Sequence, residues 1–416
     1  MSPSGSHPAF YYHGIHRRTY IGFYSSDSTV KLTYWDETLG ELGPEVTLWS
    51  EWGDGDDHAG PSVLVLQHQA GANAVHNGKI LVATSGVRDN PPLQVRRSQQ
   101  PESIVEWEEP ITFDWEGLYP TLIELSDGAI LVFYMKREIL NGRNTGNTFQ
   151  CYKESTDGGT TWSDRVILFA PAGARRVYGI YTTGPKGATV HAMFNLCPLE
   201  PTIGSWYRDV YYAHYDRASD LWQRADGTHY ALPMTPETGE IVYKSDATPG
   251  QEDHTWLSDI KVDQQGRPWL LSITNVDYAA TGHTPGTNPG WNGAVQRHTY
   301  ADSAWRTEVI TENGAGQFGS YSYPAMAVLA ESDPDVAFLT PYYDSEGNNT
   351  RIEKWRCEHG QWTRVDVICS EYDGFHFRPS SVRNGGSLEI VWCCSERYRH
   401  SRQGQWESIL LAYPVR

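Results

Sequence analysis

The chain has 416 residues, 39% of them hydrophobic and 20% charged, so it is long enough to bury a large core. Its net charge of −18, from 33 basic and 51 acidic residues, argues against nucleic acid as a partner, because phosphates call for a basic face. No apolar run approaches the roughly 20 residues needed to cross a bilayer, so no membrane partner is predicted.

The N-terminus and the cysteines say little about the cellular location of the protein. The N-terminus, MSPSGSHP, is polar and is not a signal peptide. A secreted or periplasmic location is therefore expected if a signal was removed, and a cytoplasmic one otherwise. The six cysteines are scattered without a CxxC pair, which favours buried free thiols. We expect a monomer that requires no cofactor, and the sequence gives no support for a structural calcium or zinc ion.

Helical periodicity is nearly absent, and one β-hairpin unit recurs along the whole chain. The unit is an apolar strand, a turn that usually contains glycine, and a second apolar strand. Its seven copies are AFYYHGIHRRTYIGFYSS (9–26), GPSVLVLQ…HNGKILVATSG (60–86), YPTLIELSDGAILVFYMK (119–136), RVYGIYTTGPKGATVHAMFN (176–195), HTWLSDIKVDQQGRPWLLSITN (254–275), YPAMAVLAESDPDVAFLTPY (323–342) and FRPSSVRNGGSLEIVWCCS (377–395).

A second hairpin follows each copy, and six of the seven carry a tryptophan after a polar turn. The tryptophans are Trp107, Trp162, Trp222, Trp305, Trp362 and Trp406. In the third copy the turn reads STDGGTTW (155–162), the Asp-box pattern, whose Asp and Gly shape the turn. This box is interpreted as a structural mark rather than a functional one.

Seven units of two hairpins predict an all-β fold, a seven-bladed β-propeller of four-stranded antiparallel blades. A β-sandwich or a β-helix is the alternative, and the regular two-hairpin repeat disfavours both. We expect a single domain over residues 1–416, with blades starting near 9, 60, 119, 176, 254, 322 and 377. Residues 217–253 are predicted to be a loop insertion.

The repeat predicts where a site would lie. In an antiparallel meander the start of the inner strand and the end of the second strand share one face, so these positions converge on one channel mouth. Inner-strand starts supply His58, Tyr119, Arg175, Arg176, Tyr178, His254, Trp256, Tyr321, Tyr323 and Arg378. Second-strand ends supply Lys136, Arg137, Asn195, Asn275, Asp277, Tyr342, Tyr343, Glu396 and Arg397.

This set is rich in Arg, Tyr and His and poor in carboxylates, although the protein is acidic overall. Arginines suit a carboxylate and aromatic faces suit a sugar ring, so an acidic oligo- or polysaccharide is the predicted partner. The alternative is that these are ordinary rim residues bonded to neighbouring blades. For His58, in DGDDHAGPS, a turn-capping Asp beside a structural histidine is the corresponding alternative.

Several stretches resemble the BNR-4-type propellers, which include ulvan lyases, lyases that cleave L-rhamnosyl-α-1,4-glucuronate and a related rhamnosidase family. The resemblance covers about residues 9–413. It rests on DDH-x-x-P (56–61), SQQPESIVEWEEPITFD (98–114) with YPTLIELSDGAILVFY (119–134), the Asp-box, VYYAHYDRASDLWQRADGT (210–228) and FRPSSV (377–382).

The resemblance implies a catalytic histidine at His58 and a tyrosine at Tyr119. The family's second histidine falls near Val87, and its arginine falls at about Met135, with Lys136 and Arg137 just beyond. Two of the four positions therefore match, one is lost and one is displaced. The rhamnosidases use a lone histidine on the opposite face, for which His16 is the nearest candidate.

Three functions stay open. A lyase would neutralise a uronate carboxylate with Arg378, Arg137 or Lys136 and use His58 and Tyr119 as base and acid, with His254 in place of the lost histidine. A glycoside hydrolase of the rhamnosidase type would need two carboxylates, and the predicted mouth offers only Asp277 and Glu396. A propeller that binds carbohydrate without turnover is the third.

Overall fold

The computed structural model describes residues 7–25, 29–50, 60–85, 92–113, 115, 117–141, 143–171, 175–198, 207–246, 253–275, 293–312, 327–341, 351–369, 375–395 and 408–414. These residues form seven separate antiparallel sheets that follow one another along the chain. Their only helical segments are two short 3-10 turns, Gly71–His76 and Pro185–Gly187. The prediction of an all-β, seven-bladed propeller is confirmed.

Blades 1 to 3 come from the first 170 residues. Blade 1 holds β1 (Ala9–His13), β2 (Arg17–Tyr24), β3 (Val30–Asp36), β4 (Glu41–Leu42) and β5 (Val46–Trp49). Blade 2 holds β6 (Ser62–Val65), β7 (Ile80–Thr84), β8 (Gln94–Arg97) and β9 (Ile111–Thr112). Blade 3 holds β10 (Gly117–Glu124), β11 (Ile130–Leu140), β12 (Arg143–Ser155) and β13 (Val166–Phe169).

Blades 4 and 5 complete the middle of the chain. Blade 4 holds β14 (Arg175–Thr183), β15 (Thr189–Pro198), β16 (Arg208–Asp216), β17 (Leu221–Gln223) and β18 (Glu240–Tyr243). Blade 5 holds β19 (His254–Val262), β20 (Pro268–Asn275), β21 (Gly293–Ala301) and β22 (Ala304–Glu312). The segment 217–253, expected to be a loop insertion, therefore contributes two short strands to blade 4, because β17 and β18 both pair with β16.

Blades 6 and 7 end the chain. Blade 6 holds β23 (Ala327–Leu329), β24 (Val336–Leu339), β25 (Ile352–Glu358) and β26 (Gln361–Cys369). In the described residues, blade 7 holds β27 (Phe375–Ser381), β28 (Leu388–Ser395) and β29 (Ser408–Pro414).

The first two strands of a blade are buried on both faces, because each blade is packed between two neighbours. β7, with the sequence ILVAT, is buried at all five positions, whereas the outer strand β22 is mostly exposed. This explains why the inner strands read as continuous apolar runs and the outer ones do not. Core clusters accordingly lie between blades, as where Val63 and Val82 of blade 2 join Leu122 of blade 3.

The Asp-box joins the outer hairpin of blade 3 to blade 2. The Asp157 carboxylate accepts hydrogen bonds from the Thr161 backbone N–H (2.8 Å) and hydroxyl (2.6 Å). Gly159 takes the left-handed φ of +84° that the turn requires. Arg97 of blade 2 donates to the Gly158 carbonyl, so the shaped turn also forms part of an interface between blades.

The first and last blades meet and close the ring. The Tyr11 N–H donates to the Arg383 carbonyl at 2.9 Å, and the Arg383 N–H donates to the Ala9 carbonyl at 3.2 Å. The Arg383 guanidinium then crosses the channel to the Leu122 carbonyl (2.7 Å) and the Val63 carbonyl. Burial lowers the pKa of Arg383 to about 10, so the side chain is still protonated at neutral pH.

Charged side chains fill the channel beside Arg383. The Lys261 ammonium lies 2.7 Å from the Glu331 carboxylate and 3.9 Å from that of Asp259. His7, also buried, contacts the Tyr181 carbonyl at 2.6 Å, and burial lowers its pKa well below 6.5. We call Lys261, Asp259, Glu331, Arg383 and His7 the channel plug, because they occupy the centre of the ring with their partners around them.

Candidate functional site

The described inner strands of blades 3, 4 and 5 begin at one end of the channel, and their hairpin partners end there. Gly117 pairs with Lys136, Arg175 with Pro198, and His254 with Asn275. We call this end the mouth. In these three blades the register places the described residues of the predicted set toward this end, as the antiparallel meander requires.

Blade 3 carries a tyrosine with an unusual backbone at the mouth. Tyr119 has a φ of +56°, in the left-handed region that costs a bulky residue on the order of 1–3 kcal/mol. The ladder between β10 and β11 shifts between Leu118 and Thr121, so Tyr119 lies in a β-bulge. A bulge of this kind redirects a side chain, and strained residues of this kind cluster at functional sites.

Two cationic side chains lie on the neighbouring strand β11 where it reaches the mouth. Lys136 and Arg137, both half-buried, lie at the mouth end of β11, where Lys136 pairs with Gly117. The Lys136 ammonium donates to the Trp115 carbonyl, and the Trp115 side chain is 64% exposed. The sequence reasoning missed Trp115 because the residue lies just before the strand and not within it.

Four aromatic rings from blades 3, 4 and 5 pack together beneath the mouth. The Tyr119 and Tyr178 ring centroids are 5.9 Å apart, and those of Tyr178 and Trp256 are 5.6 Å apart. Tyr207 stands perpendicular to Trp256 at 3.9 Å. All four are buried, so they form an aromatic floor that joins three blades. Tyr207 was missed because it precedes the third strand of blade 4, outside the predicted positions.

Tyr178 of the aromatic floor and the neighbouring Cys197 are uncharged at neutral pH. Burial raises the pKa of the Tyr178 hydroxyl, although the Arg176 guanidinium beside it acts in the opposite direction. Burial also raises the pKa of the Cys197 thiol to about 12. Arg176 itself is exposed, so its positive charge lies at the solvent side of a neutral apolar surface.

Asn195 links blades 4 and 5 at the mouth end of β15. Its side-chain amide donates to the Thr255 carbonyl at 3.1 Å, and the residue is completely buried. Its side-chain oxygen has no hydrogen-bond partner among the described residues. A buried acceptor without a donor is uncommon in native structures.

A carboxylate that the sequence analysis did not select lies one residue beyond Arg137. Glu138 accepts hydrogen bonds from the Thr145 hydroxyl (2.7 Å) and the Asn147 amide (2.9 Å). These hydrogen bonds lower the pKa of Glu138, so the side chain is ionised at neutral pH. The predicted second strand stopped at Lys136, whereas β11 continues to Leu140 and turns into a long hairpin with β12.

The other predicted site residues are only partly described. His254, Arg175 and Arg378 lie in β19, β14 and β27, respectively. The strand pairings given above place His254 and Arg175 at the mouth. The predicted residues outside the described ranges are His58, Val87, Asp277, Tyr321, Tyr323, Tyr342, Tyr343, Glu396 and Arg397. His16 is exposed in the turn between β1 and β2, at the end of the blade opposite the mouth.

Two features are absent from the described residues. No helix there is long and apolar enough to span a membrane. Within the same ranges, no group of three or more His, Cys, Asp or Glu side chains is arranged to hold a metal ion.

The sequence and the fold were compared with known proteins. A family model described as "BNR repeat-containing family member" matches residues 18–313. No curated protein matches the sequence. The match covers well over half of the chain, which confirms the resemblance to BNR-4-type propellers.

Solved structures of polysaccharide lyases share the fold. A PL25 ulvan lyase superposes with a TM-score of 0.73 at 13% identity, covering 99% of this chain and 93% of that one. The PL25 ulvan lyase bound to -[GlcA(1-4)Rha3S]- gives 0.72 at 14% identity, with coverage of 99% and 94%. The polysaccharide lyase Uly1 gives 0.65 at 11% identity, with coverage of 98% and 89%. At these identities the likeness establishes the fold.

Proposed function

The chain belongs to the BNR repeat-containing family, and from this premise we propose that it is a polysaccharide lyase that cleaves a uronate-containing glycan at the mouth. The observation that carries the proposal is Tyr119, a tyrosine in a left-handed bulge beside the cations Lys136 and Arg137. The glycan seen with a structural neighbour, -[GlcA(1-4)Rha3S]-, suggests a rhamnose–glucuronate backbone as the substrate.

β-Elimination makes three demands on a site. The uronate carboxylate must be neutralised so that the C5 proton becomes acidic, a base must remove that proton, and an acid must protonate O4 as the C4–O4 bond breaks. The electron pair of the C5–H bond becomes the C4=C5 double bond of an unsaturated uronate. The released sugar carries a free hydroxyl, so atoms and charge balance without a co-reactant.

The described residues of blade 3 offer groups for two of the three demands. Lys136 and Arg137 would neutralise the carboxylate, since they lie on β11 beside the start of β10 at the mouth. The Tyr119 hydroxyl would exchange the proton with C5 or O4, and its ring rests on Tyr178. His58 and His254 are proposed as its partners in acid–base catalysis, and Arg176, Arg175, Arg378 and Arg397 as further contacts of the anionic glycan. Tyr321 and Tyr323 are proposed as aromatic contacts.

The proposal is tested with a rhamnose–glucuronate glycan and the ultraviolet absorbance of the unsaturated uronate. Wild-type protein should raise this absorbance as chains are cut. Tyr119→Phe, which keeps the ring and removes the proton-transfer group, should lower kcat by about 10²–10⁴-fold. Lys136→Met should lower kcat/KM because the carboxylate loses a charge partner. Tyr152→Phe, on the outer strand β12 of the same blade, is the matched control and should leave the rate unchanged.

Two results would contradict the proposal. Release of sugar without an absorbance rise would indicate a hydrolase on the same glycan. Saturable glycan binding by the wild-type protein without any cleavage would indicate a non-catalytic binding propeller.

A further inference from the structure

Blade 4 carries a second left-handed bulge, at the mouth end of its third strand. The ladder between β15 and β16 shifts there, so that Asp209 and Val210 together face Asn195. Asp209 has a φ of +57°, close to the +56° of Tyr119 in the bulge of blade 3. Every other described non-glycine residue with a positive φ lies in a turn or loop outside the strands. Since bulges near active sites redirect side chains, the second bulge indicates that blade 4 contributes to the site.

The bulge separates an arginine from the carboxylate that follows it in the sequence. Asp209 comes directly after Arg208, yet its oxygens are bonded to other groups. They accept hydrogen bonds from the Lys244 ammonium (2.7 Å), the Ser245 backbone N–H (3.0 Å) and the Tyr211 hydroxyl (3.2 Å). The carboxylate is therefore satisfied by these three donors and does not neutralise Arg208.

The Arg208 guanidinium has no hydrogen bond or ion pair within the part of the chain that the structure describes. The residue is half-buried, and among its guanidinium nitrogens only Nε is both closed to solvent and unpaired. A guanidinium that loses part of its hydration without gaining a partner is unfavourable. The terminal nitrogens are open to a ligand, and their planar geometry suits the oxygens of a carboxylate or a sulfate.

Arg208 lies at the mouth, outward from the start of the inner strand of blade 4. It pairs with Leu196, and Leu196 pairs with Val177, so Arg208 is two strands away from β14. At about 4.8 Å between neighbouring strands, its backbone is roughly 10 Å from that of Val177. Tyr207, the residue before it, belongs to the aromatic floor. The sequence reasoning did not select Arg208, because it considered the first two strands of each blade and not the third.

We propose that Arg208 is a second anion-binding position of the mouth, which holds an oxyanion on a sugar unit other than the one that is cleaved. The inference rests on the proposed lyase function, in which Lys136 and Arg137 of blade 3 bind the reacting uronate. The carboxylate of another uronate and a sulfate ester share the required chemistry. In a chain with a net charge of −18, a local unpaired cation is needed to hold a polyanion. Arg208 would determine specificity for glycans with several anionic units without touching the reacting atoms.

The test is calorimetric binding in the Tyr119→Phe background, which keeps the ring and suppresses cleavage under the proposed function. The probes are a rhamnose–glucuronate tetrasaccharide, the same tetrasaccharide with sulfated rhamnose, and a neutral form with its carboxyl groups reduced. Arg208→Met should weaken binding of an anionic tetrasaccharide about tenfold, as expected for loss of a charge-assisted hydrogen bond, and should leave binding of the neutral form unchanged. Equal losses for the two anionic probes assign the carboxylate, and a larger loss for the sulfated one assigns the sulfate.

Two further variants serve as controls, and thermal melting verifies that each is folded. Arg208→Lys keeps the charge but not the planar fork, so it should lose only about threefold in affinity. Arg306→Met makes the same change in net charge at an exposed position near the turn of β21 and β22, at the end of blade 5 opposite the mouth, and should bind as the parent does.

Three results would overturn the inference. They are parent-like binding of both anionic probes by Arg208→Met, an equal loss for the neutral probe, and an equal loss in Arg306→Met. Cleavage by the wild-type protein is measured separately by ultraviolet absorbance. Cleavage with parent-like binding by Arg208→Met refutes the role of Arg208 alone, whereas the expected binding loss without any cleavage refutes the lyase alone.

Discussion

Replacement of Lys261 by methionine should destabilise the whole propeller, because it leaves buried carboxylates in the channel plug. The Lys261 ammonium is 5% exposed and lies 2.7 Å from Glu331 and 3.9 Å from Asp259. With an effective dielectric constant of about 20, these separations correspond to roughly 6 and 4 kcal/mol of attraction, much of it offset by desolvation. Removal of one partner of a buried pair costs about 3–5 kcal/mol.

Chemical denaturation followed by tryptophan fluorescence measures this loss, since the chain contains 16 tryptophans. Arg306→Met is the matched control, because Arg306 forms an ion pair with Asp302 in which the two side chains are 62% and 79% exposed. An exposed pair is worth less than about 1 kcal/mol, so the control should unfold close to wild type. If Lys261→Met and Arg306→Met lose the same free energy of unfolding, burial does not determine how much the ion pairs of the channel plug contribute to stability.

Two further predictions concern the plug and the Asp-box. Burial raises the pKa of Asp259 to about 6, so the folded state holds its proton more tightly than the unfolded chain does. The stability it contributes is full below about pH 4 and is lost as pH rises through 6, by about 3 kcal/mol. Asp259→Asn should abolish this pH dependence, and a stability difference from wild type that stays flat between pH 4 and 7 would contradict the assignment. Asp157→Ala should cost about 1–2 kcal/mol of unfolding free energy and leave glycan cleavage unchanged, because Asp157 shapes an outer turn away from the mouth. Asp157→Asn, which keeps an acceptor, should lose less; equal losses would show that the accepted hydrogen bonds are not the cause.

The blade architecture could be predicted from the sequence because its signal is local and repeated. Alternating hairpins, glycine turns and the outer tryptophans each report on two adjacent strands, and seven copies reinforce one another. The Asp-box shows the same: STDGGTTW predicts the turn in which Asp157 binds Thr161. The strand ends were less predictable, since β11 runs four residues beyond Lys136 and β18 lies in a segment that was expected to be a loop.

The packing of side chains across blades could not be predicted. Tyr207 joins Trp256 from outside the repeat pattern, and the buried state of Tyr178 depends on rings from three blades. The bulge that gives Tyr119 its left-handed backbone could not be predicted either, because a non-glycine residue with positive φ is uncommon and tyrosine does not favour it. The channel plug brings together residues as far apart in sequence as His7 and Arg383. Such contacts arise when the ring closes, and no short segment of the sequence predicts them.

Arg383 has a consequence for how the molecule comes apart. In a repeat array the stability is close to a sum of nearest-neighbour terms, so segments can melt one after another. Here one side chain in blade 7 contacts the backbone of blades 2 and 3, and its own backbone pairs with blade 1. Loss of any of these blades therefore removes a partner from the others. The ring should therefore unfold in one cooperative transition. Contacts between non-adjacent blades, such as those of Arg383, should keep the least stable blade from unfolding alone.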